Sequence, residues 1–305
     1  MDTIYLKHIN KQIAILKKCN LTIDDYEFIE YILKKENFYY IINAYKKPFL
    51  IDYNLTLNKF IDKTTFENIY ALYEFDIELK SIIFKHISKV ESAIKSYIYQ
   101  IFYKCHGDIT PLKPSNFNLI DSGIGLEFIK QKILSQINSN SEISHFSNEY
   151  GIVPLWAIIN ILNFEEISKF FSIMKSDEKD QVVSLIDENL TKLEFSKYLN
   201  ILIEAKNICT ENLTMYNFAS KYKLNFIDIF SYFNYIPESK SNVFTILVLF
   251  KIFLSDEDFK DMYKSFIVQL DYLDNSLKNL KFDKVYGRIC EEFLGVPDDF
   301  YLINV

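Results

Sequence analysis

Glycine and proline are scarce in this chain, six of each in 305 residues. A sandwich or barrel needs many tight turns, and those turns draw on glycine, proline and asparagine-glycine pairs. Few breakers between long apolar-periodic runs favour helices instead. Arginine is almost absent, with Arg288 alone against 33 lysines. Together with abundant Ile, Asn, Lys and Tyr, this bias suggests an AT-rich genome, in which a lysine can stand where a relative carries arginine. Four cysteines, Cys19, Cys105, Cys209 and Cys290, lie far apart without a C-x-x-C pair. That spacing excludes the common zinc motifs and argues for reduced thiols over a disulfide framework. No basic segment followed by an apolar one opens the sequence. The longest apolar run, Val243–Leu254, is broken by Thr245 and Lys251 and is too short to span a bilayer. The expectation is a cytoplasmic protein without a membrane segment.

What is present is a globular composition, 49% hydrophobic and 25% charged, rich in phenylalanine and tyrosine. The net charge of −7 argues against a broad nucleic-acid face. The charge is uneven: residues 1–110 carry 15 lysines and 14 acidic residues, while 111–305 carry 19 basic and 27 acidic residues. A local basic groove fits this balance; a basic surface does not.

The fold class expected is all-α, a multi-helix bundle in a single domain over 1–305. An opening helix runs to about Lys18, and Thr22 with Asp24 and Asp25 starts the next. Phe38-Tyr39-Tyr40-Ile41-Ile42 is aromatic and β-branched, which allows a short strand or hairpin near 38–45. Thr64-Thr65-Phe66-Glu67 offers a cap for a long helix to Tyr103, with Leu79, Ile82, Ile83, Ile87, Val90, Ile94, Ile98 and Ile101 at helical steps. Residues 106–125 hold three glycines and two prolines and read as the main loop. Pro154 opens one apolar helix through Met174, packed on the long helix. Further helices follow near 179–189, 193–209 and 259–277, the last behind a Ser255-x-x-Asp258 cap.

Few residues stand out as chemical. His8 and His145 have no partner in sequence, His86 lies beside the apolar stripe as a core or rim histidine, and His106 begins the loop. Glu91 and Lys95 have the i,i+4 spacing of a solvated ion pair. Tyr39, Tyr40, Tyr45 and Phe49 interleave with Lys46 and Lys47, a pattern that can stack bases and hold phosphates, though a chain this rich in Tyr and Lys more often makes it a core with a solvated edge. In Lys206–Asn217 a long amphipathic helix runs into a polar cluster. Asn207 and Glu211 are four apart and share a face if the helix continues.

Several of these segments together resemble the AbiD/AbiF-like abortive-infection proteins. They are Leu21–Asp25 with Asn37–Phe49, then Phe66–Lys80 continuing through Lys95 with its Leu-Tyr-x-Phe-Asp core, then Val153-Pro154-Leu155-Trp156 with Ile167–Phe171, and the segment 206–217. The resemblance implies a HEPN-type helical fold, a role in antiphage defence, and RNA as partner, noncoding or from host or phage. It also implies a metal-independent endoribonuclease without cofactor, in which a motif R-N-x-x-x-H meets its copy across a homodimer. On that motif Lys206 stands for the arginine, Asn207 for the asparagine, Glu211 for the histidine and Thr214 for a second basic residue. Losing the histidine removes the group that handles protons near neutrality. Two readings follow: an RNA-associated defence protein with an altered catalytic motif, or an inactive HEPN scaffold acting in interaction or regulation. Lys46, Lys47 and Tyr45 are the candidate RNA contacts.

Overall fold

A computed structural model describes residues 11, 13–52, 59–118, 122–136, 139–222, 242–278, 280 and 283–296. Among them the chain is helical, with two isolated β-bridges, Thr22 with Thr65 and Leu50 with Phe60, and no strand. Residues 13–18 form a first helical stretch. Then come α1 (Tyr26–Lys35), α2 (Phe38–Tyr45), α3 (Phe66–His106), α4 (Ser122–Gln136), α5 (Ser141–Tyr150), α6 (Leu155–Ile161), α7 (Phe164–Ile173), α8 (Ser176–Ser184), α9 (Lys192–Thr210), α10 (Val243–Phe253), α11 (Asp256–Leu277) and α12 (Asp283–Arg288). A π-helical turn, Ile289–Leu294, continues from α12.

The axis of the molecule is α3. Its 41 residues make a rod about 60 Å long at 1.5 Å per residue. Thr65 caps it with a reciprocal box: the threonine hydroxyl accepts from the Asn68 N–H, and the Asn68 side chain accepts from the Thr65 N–H. Gly107 ends it at φ 71°, a conformation that carries no Cβ penalty in glycine. The apolar stripe from Leu79 to Ile101 is buried throughout. Helices α2, α6, α8, α9, α10 and α11 all pack on this rod. As the periodicity predicts, Ile83, Ile87, Val90 and Ile94 are buried along with Leu155, Ile158, Ile159 and Leu162.

Two expected elements differ. The segment 38–45 is helical, not a strand or hairpin. Asn37 caps it by accepting from the Tyr40 N–H, and Ile41, Ile42 and Tyr45 bury one helical face in the core. Burial on a helical period outweighs the β-branched and aromatic preference. The helix expected over 155–174 is two helices, because Asn163 and Glu166 form a capping box that restarts the chain at Phe164.

Val243–Phe250 is buried at every position. A helix apolar all round belongs inside a protein, and α10 fills the core between α3, α9 and α11. Among the described residues no helix is long and apolar enough to cross a membrane.

Candidate functional site

The segment 206–217 leaves the end of α9 and is fastened to α3 and α2 by one buried carboxylate. Asp76 is fully buried on α3. Its Oδ1 accepts from the backbone N–H groups of Met215 at 2.9 Å and Tyr216 at 2.5 Å. Its Oδ2 accepts from the Tyr45 hydroxyl at 2.8 Å and lies 3.5 Å from the Lys80 ammonium. Lys80 in turn donates to the Leu213 carbonyl at 3.0 Å, and the Tyr216 hydroxyl donates to the Ala44 carbonyl at 2.9 Å. Burial pushes the Asp76 carboxyl above its ordinary range, while Lys80, the two backbone donors and Tyr45 pull it back. Burial likewise raises the Cys209 thiol to about 12.

This arrangement explains the aspartate of the Leu-Tyr-x-Phe-Asp stretch, which sequence reading treated as part of a fold motif only. Nothing in a linear sequence links Asp76 to residues 215 and 216. An acid on the apolar side of a helix was the available signal.

Lys206 lies one turn from the end of α9. Its ammonium is ion-paired with Glu91 Oε2 and sits 5.9 Å from the Phe164 ring centre. Glu91 Oε1 also holds Lys95 at 3.0 Å. The expected i,i+4 pair therefore exists, but it is not solvated. Glu91 is only 9% exposed and bridges two ammonium groups, the second from another helix. Asn207 and Glu211 are both exposed. They do not share a helical face, because α9 ends at Thr210 and Glu211 is its cap in extended conformation (φ −106°, ψ 164°), its N–H donating to the Asn207 carbonyl. Thr214 is half-buried and its hydroxyl donates to Asn217 Oδ1.

The lysines at the start of the chain sit on the 3₁₀ turn Lys47–Phe49 and the residue before it. Lys46 is half-buried and donates to Asn43 Oδ1 at 3.0 Å. Lys47 is exposed, with its ammonium 5.5 Å from the Phe293 ring centre. Tyr45 is different: its ring is fully buried against Tyr73 and Tyr216, so it offers no face to a base. Sequence reading also missed Arg288, whose guanidinium donates to the carbonyls of Pro48 and Leu50 and so fixes the lysine turn from the far end of the chain.

The histidines divide as their positions suggest. His86 is buried among helices. His106 pairs with Glu178 at 2.6 Å, and His145 lies on the surface in edge-to-face contact with Phe146 and Tyr150. His8 lies outside the described residues. All four cysteines are free. Among the described residues no group of three or more His, Cys, Asp or Glu side chains could hold a metal ion.

No curated protein and no solved structure matches the chain. A family model described as Abi-like protein matches residues 31–217. That span runs from α1 through α9 and includes the Asp76 anchor, both segments it joins and the Glu91–Lys206 pair. Covering more than half of the 305 residues, the match places the chain in the family of Abi-like proteins.

Proposed function

We propose that this protein is an antiphage abortive-infection factor that acts in the cytoplasm, associates with RNA and carries a HEPN-type scaffold whose catalytic motif has been altered. The observation that carries the reading is the family match over 31–217, a span whose last residues are the segment 206–217. Lys46 and Lys47 supply positive charge on a turn held rigid by Arg288. Phosphate contacts at such a turn weaken steeply with salt. Lys46→Glu with Lys47→Glu should lower RNA affinity and flatten its salt slope; an unchanged slope places the RNA elsewhere.

At the motif the physics favours weak chemistry. Lys206 is ion-paired with Glu91, which it shares with Lys95, so a phosphate must compete with a carboxylate already in contact. Glu211 adds an exposed negative charge, and the carbonyls at the end of α9 carry the negative end of the helix dipole. No histidine stands within the segment to take and return a proton. General acid–base help is worth about 10²–10⁴-fold, so the expected metal-independent cleavage is residual. The second reading, an inactive scaffold for interaction or regulation, is favoured by the same Glu91–Lys206 pair.

The test compares the natural protein with Glu211→Ala and with Lys206→Arg/Glu211→His on single-stranded RNA in EDTA. Cleavage gained by the double variant identifies the segment as an altered ribonuclease site. Strong cleavage by the natural protein, lost in Glu211→Ala, makes the carboxylate a working base and overturns the residual-activity reading. Inactivity of all three, with no RNA co-purifying, leaves the scaffold reading.

The exposed residues Asn207, Glu211, Asn212 and Leu213 give a second copy of the segment a surface to face. A homodimer through this face should be lost on Leu213→Glu. A monomer at tens of micromolar in ultracentrifugation counts against it.

A further inference from the structure

A cleft lies on α3 away from the 206–217 segment and shares no lining residue with it. It has a volume of about 420 Å³, within the range of small-molecule sites. Its walls are Tyr70, Tyr73 and Tyr272, and its charges are Glu36, Glu74 and Glu78. The tyrosine hydroxyls turn toward the carboxylates: Tyr73 donates to Glu36 at 2.6 Å and Tyr272 to Glu74 at 3.0 Å. Tyr70 and Tyr73 meet at 5.4 Å between ring centres, tilted by 43°. Among the described residues none of the three glutamates takes part in an ion pair, although lysine is the commonest partner available elsewhere on this surface. Glu74 and Glu78 stand i,i+4 on one helix, a like-charge spacing that opposes the helix unless something neutralises it.

The shape of this charge selects the ligand. The acidic groups do not converge on a point, since among the described residues no three of them could hold a metal ion. They are spread around a cleft whose remaining surface is three tyrosine rings with Ile77 and Gln269. Ring faces attract organic cations and cannot ligate a metal. An alkyl chain between spaced ammonium groups satisfies both features, with carboxylates at the charges and rings along the methylenes. We propose that this cleft binds a small aliphatic polyamine. The family reading neither requires this site nor assigns it. The burial of Tyr70 and the nearby charges of Glu74 and Glu36 raise its hydroxyl to about 12, in keeping with a neutral ring in an acidic cleft.

The test is equilibrium binding of spermidine to the full chain by calorimetry, with tetramethylammonium and magnesium chloride as competitors. Glu74→Gln/Glu78→Gln should weaken spermidine binding at least tenfold. Tyr272→Ala should weaken it several-fold; this residue is 47% exposed, so its removal leaves the core intact. Tetramethylammonium should compete and magnesium at the same charge concentration should compete poorly. No spermidine binding overturns the proposal. So does binding that magnesium displaces equally well, or that Tyr272→Ala leaves unchanged, because either marks a diffuse acidic surface. Circular dichroism on each variant separates a lost site from a lost fold.

Discussion

Two polar groups are buried on the same helix, ten residues apart, and their surroundings are opposite. Asp76 has both carboxylate oxygens partnered, by two backbone donors, a tyrosine hydroxyl and, as an ion pair, an ammonium. His86 has one ring nitrogen satisfied and one without a hydrogen bond. Both side chains are fully buried. Burial alone therefore says little about what a polar residue does. The partners decide it: Asp76 joins three segments distant in sequence, whereas His86 bonds the carbonyl one turn back in its own helix. Removing Asp76 strands its partners, and removing His86 strands nothing.

The largest expected effect follows from that contrast. Asp76→Ala leaves the Met215 and Tyr216 N–H groups and the Tyr45 hydroxyl without an acceptor in the core. Each orphaned buried group costs about 1–3 kcal/mol, and removing one member of a buried ion pair costs roughly 3–5 kcal/mol. Lys80 keeps some solvent access and its bond to Leu213, so the loss should fall near the lower figure. Urea unfolding measures it. Hydrogen exchange should also show the amides of 215 and 216 opening first. A loss below about 1 kcal/mol would mean that water replaces the carboxylate and that Asp76 does not anchor the segment.

Much of the fold was legible in the sequence, because α3, α9 and α11 are long and strongly periodic. The misreadings fall where a local preference met a tertiary demand. The run Phe38–Ile42 has the composition of a strand, but its burial pattern is helical once Asn37 caps it. The break at Asn163 comes from its capping box with Glu166, set between apolar runs whose periodicity reads as one helix. The site was less legible. Spacing gave Glu91 with Lys95, but Lys206 joins that pair from another helix. The shared face of Asn207 and Glu211 required α9 to continue past Thr210, and it does not. Tyr45 looked like a stacking residue because sequence pattern cannot separate a buried tyrosine from an exposed one.

A smaller effect sharpens the contrast on the Asp76 side. Tyr45→Phe removes one donor to Asp76 and leaves the ring packed between Tyr73 and Tyr216. Hydrogen bonds to charged groups contribute about 1.5–3 kcal/mol, and the carboxylate keeps its other partners, so a loss of roughly 1–2 kcal/mol is expected. Combined with Asp76→Ala, the second substitution should add almost nothing, since the hydroxyl then has no acceptor to lose. Burial and then the Asp76 charge hold the Tyr45 hydroxyl far above its ordinary value. Its neutral form is thus favoured by folding, and that stability is present below about pH 10 and lost as pH rises beyond it. Tyr45→Phe should weaken the alkaline loss of stability. Full additivity of the two substitutions would show that the two side chains do not act through each other.

The smallest effect, and the sharper test of the other half, concerns His86. Its Nδ1 lies 2.7 Å from the Ile82 carbonyl, which can only accept, so Nδ1 carries the proton and Nε2 is a bare acceptor. The groups around it come from three helices. Lys85 and Lys89 flank it on α3, Asp261 Oδ2 stands 3.6 Å from Nε2 on α11 beside Asp258, and the Phe250 ring of α10 lies 5.9 Å away. Burial is the main force lowering its pKa, with Lys85 and Lys89 adding to it; the Ile82 carbonyl and Asp261 oppose. The folded protein therefore binds this proton less readily than the unfolded chain does. Stability from the neutral ring is complete above about pH 6.5 and declines as pH falls from there toward the lower folded value. His86→Leu keeps similar bulk, removes the bare acceptor and forfeits a bond to a carbonyl already in the helix ladder. Stability at pH 7.5 should change by less than about 1 kcal/mol, against a typical destabilisation near that figure for point substitutions. Below pH 6.5 the variant should gain on the natural protein, by up to about 1.36 kcal/mol for each unit by which folding lowers the pKa. Urea unfolding at pH 7.5 and 5.5 measures both quantities. If the two proteins keep the same difference at both pH values, Asp261 accepts the proton's charge as well as water does, and the contrast between the two buried groups fails. A loss above 2 kcal/mol at pH 7.5 would fail it differently, by showing that the ring holds α3 against α10 and α11 through packing that its unpaired nitrogen conceals.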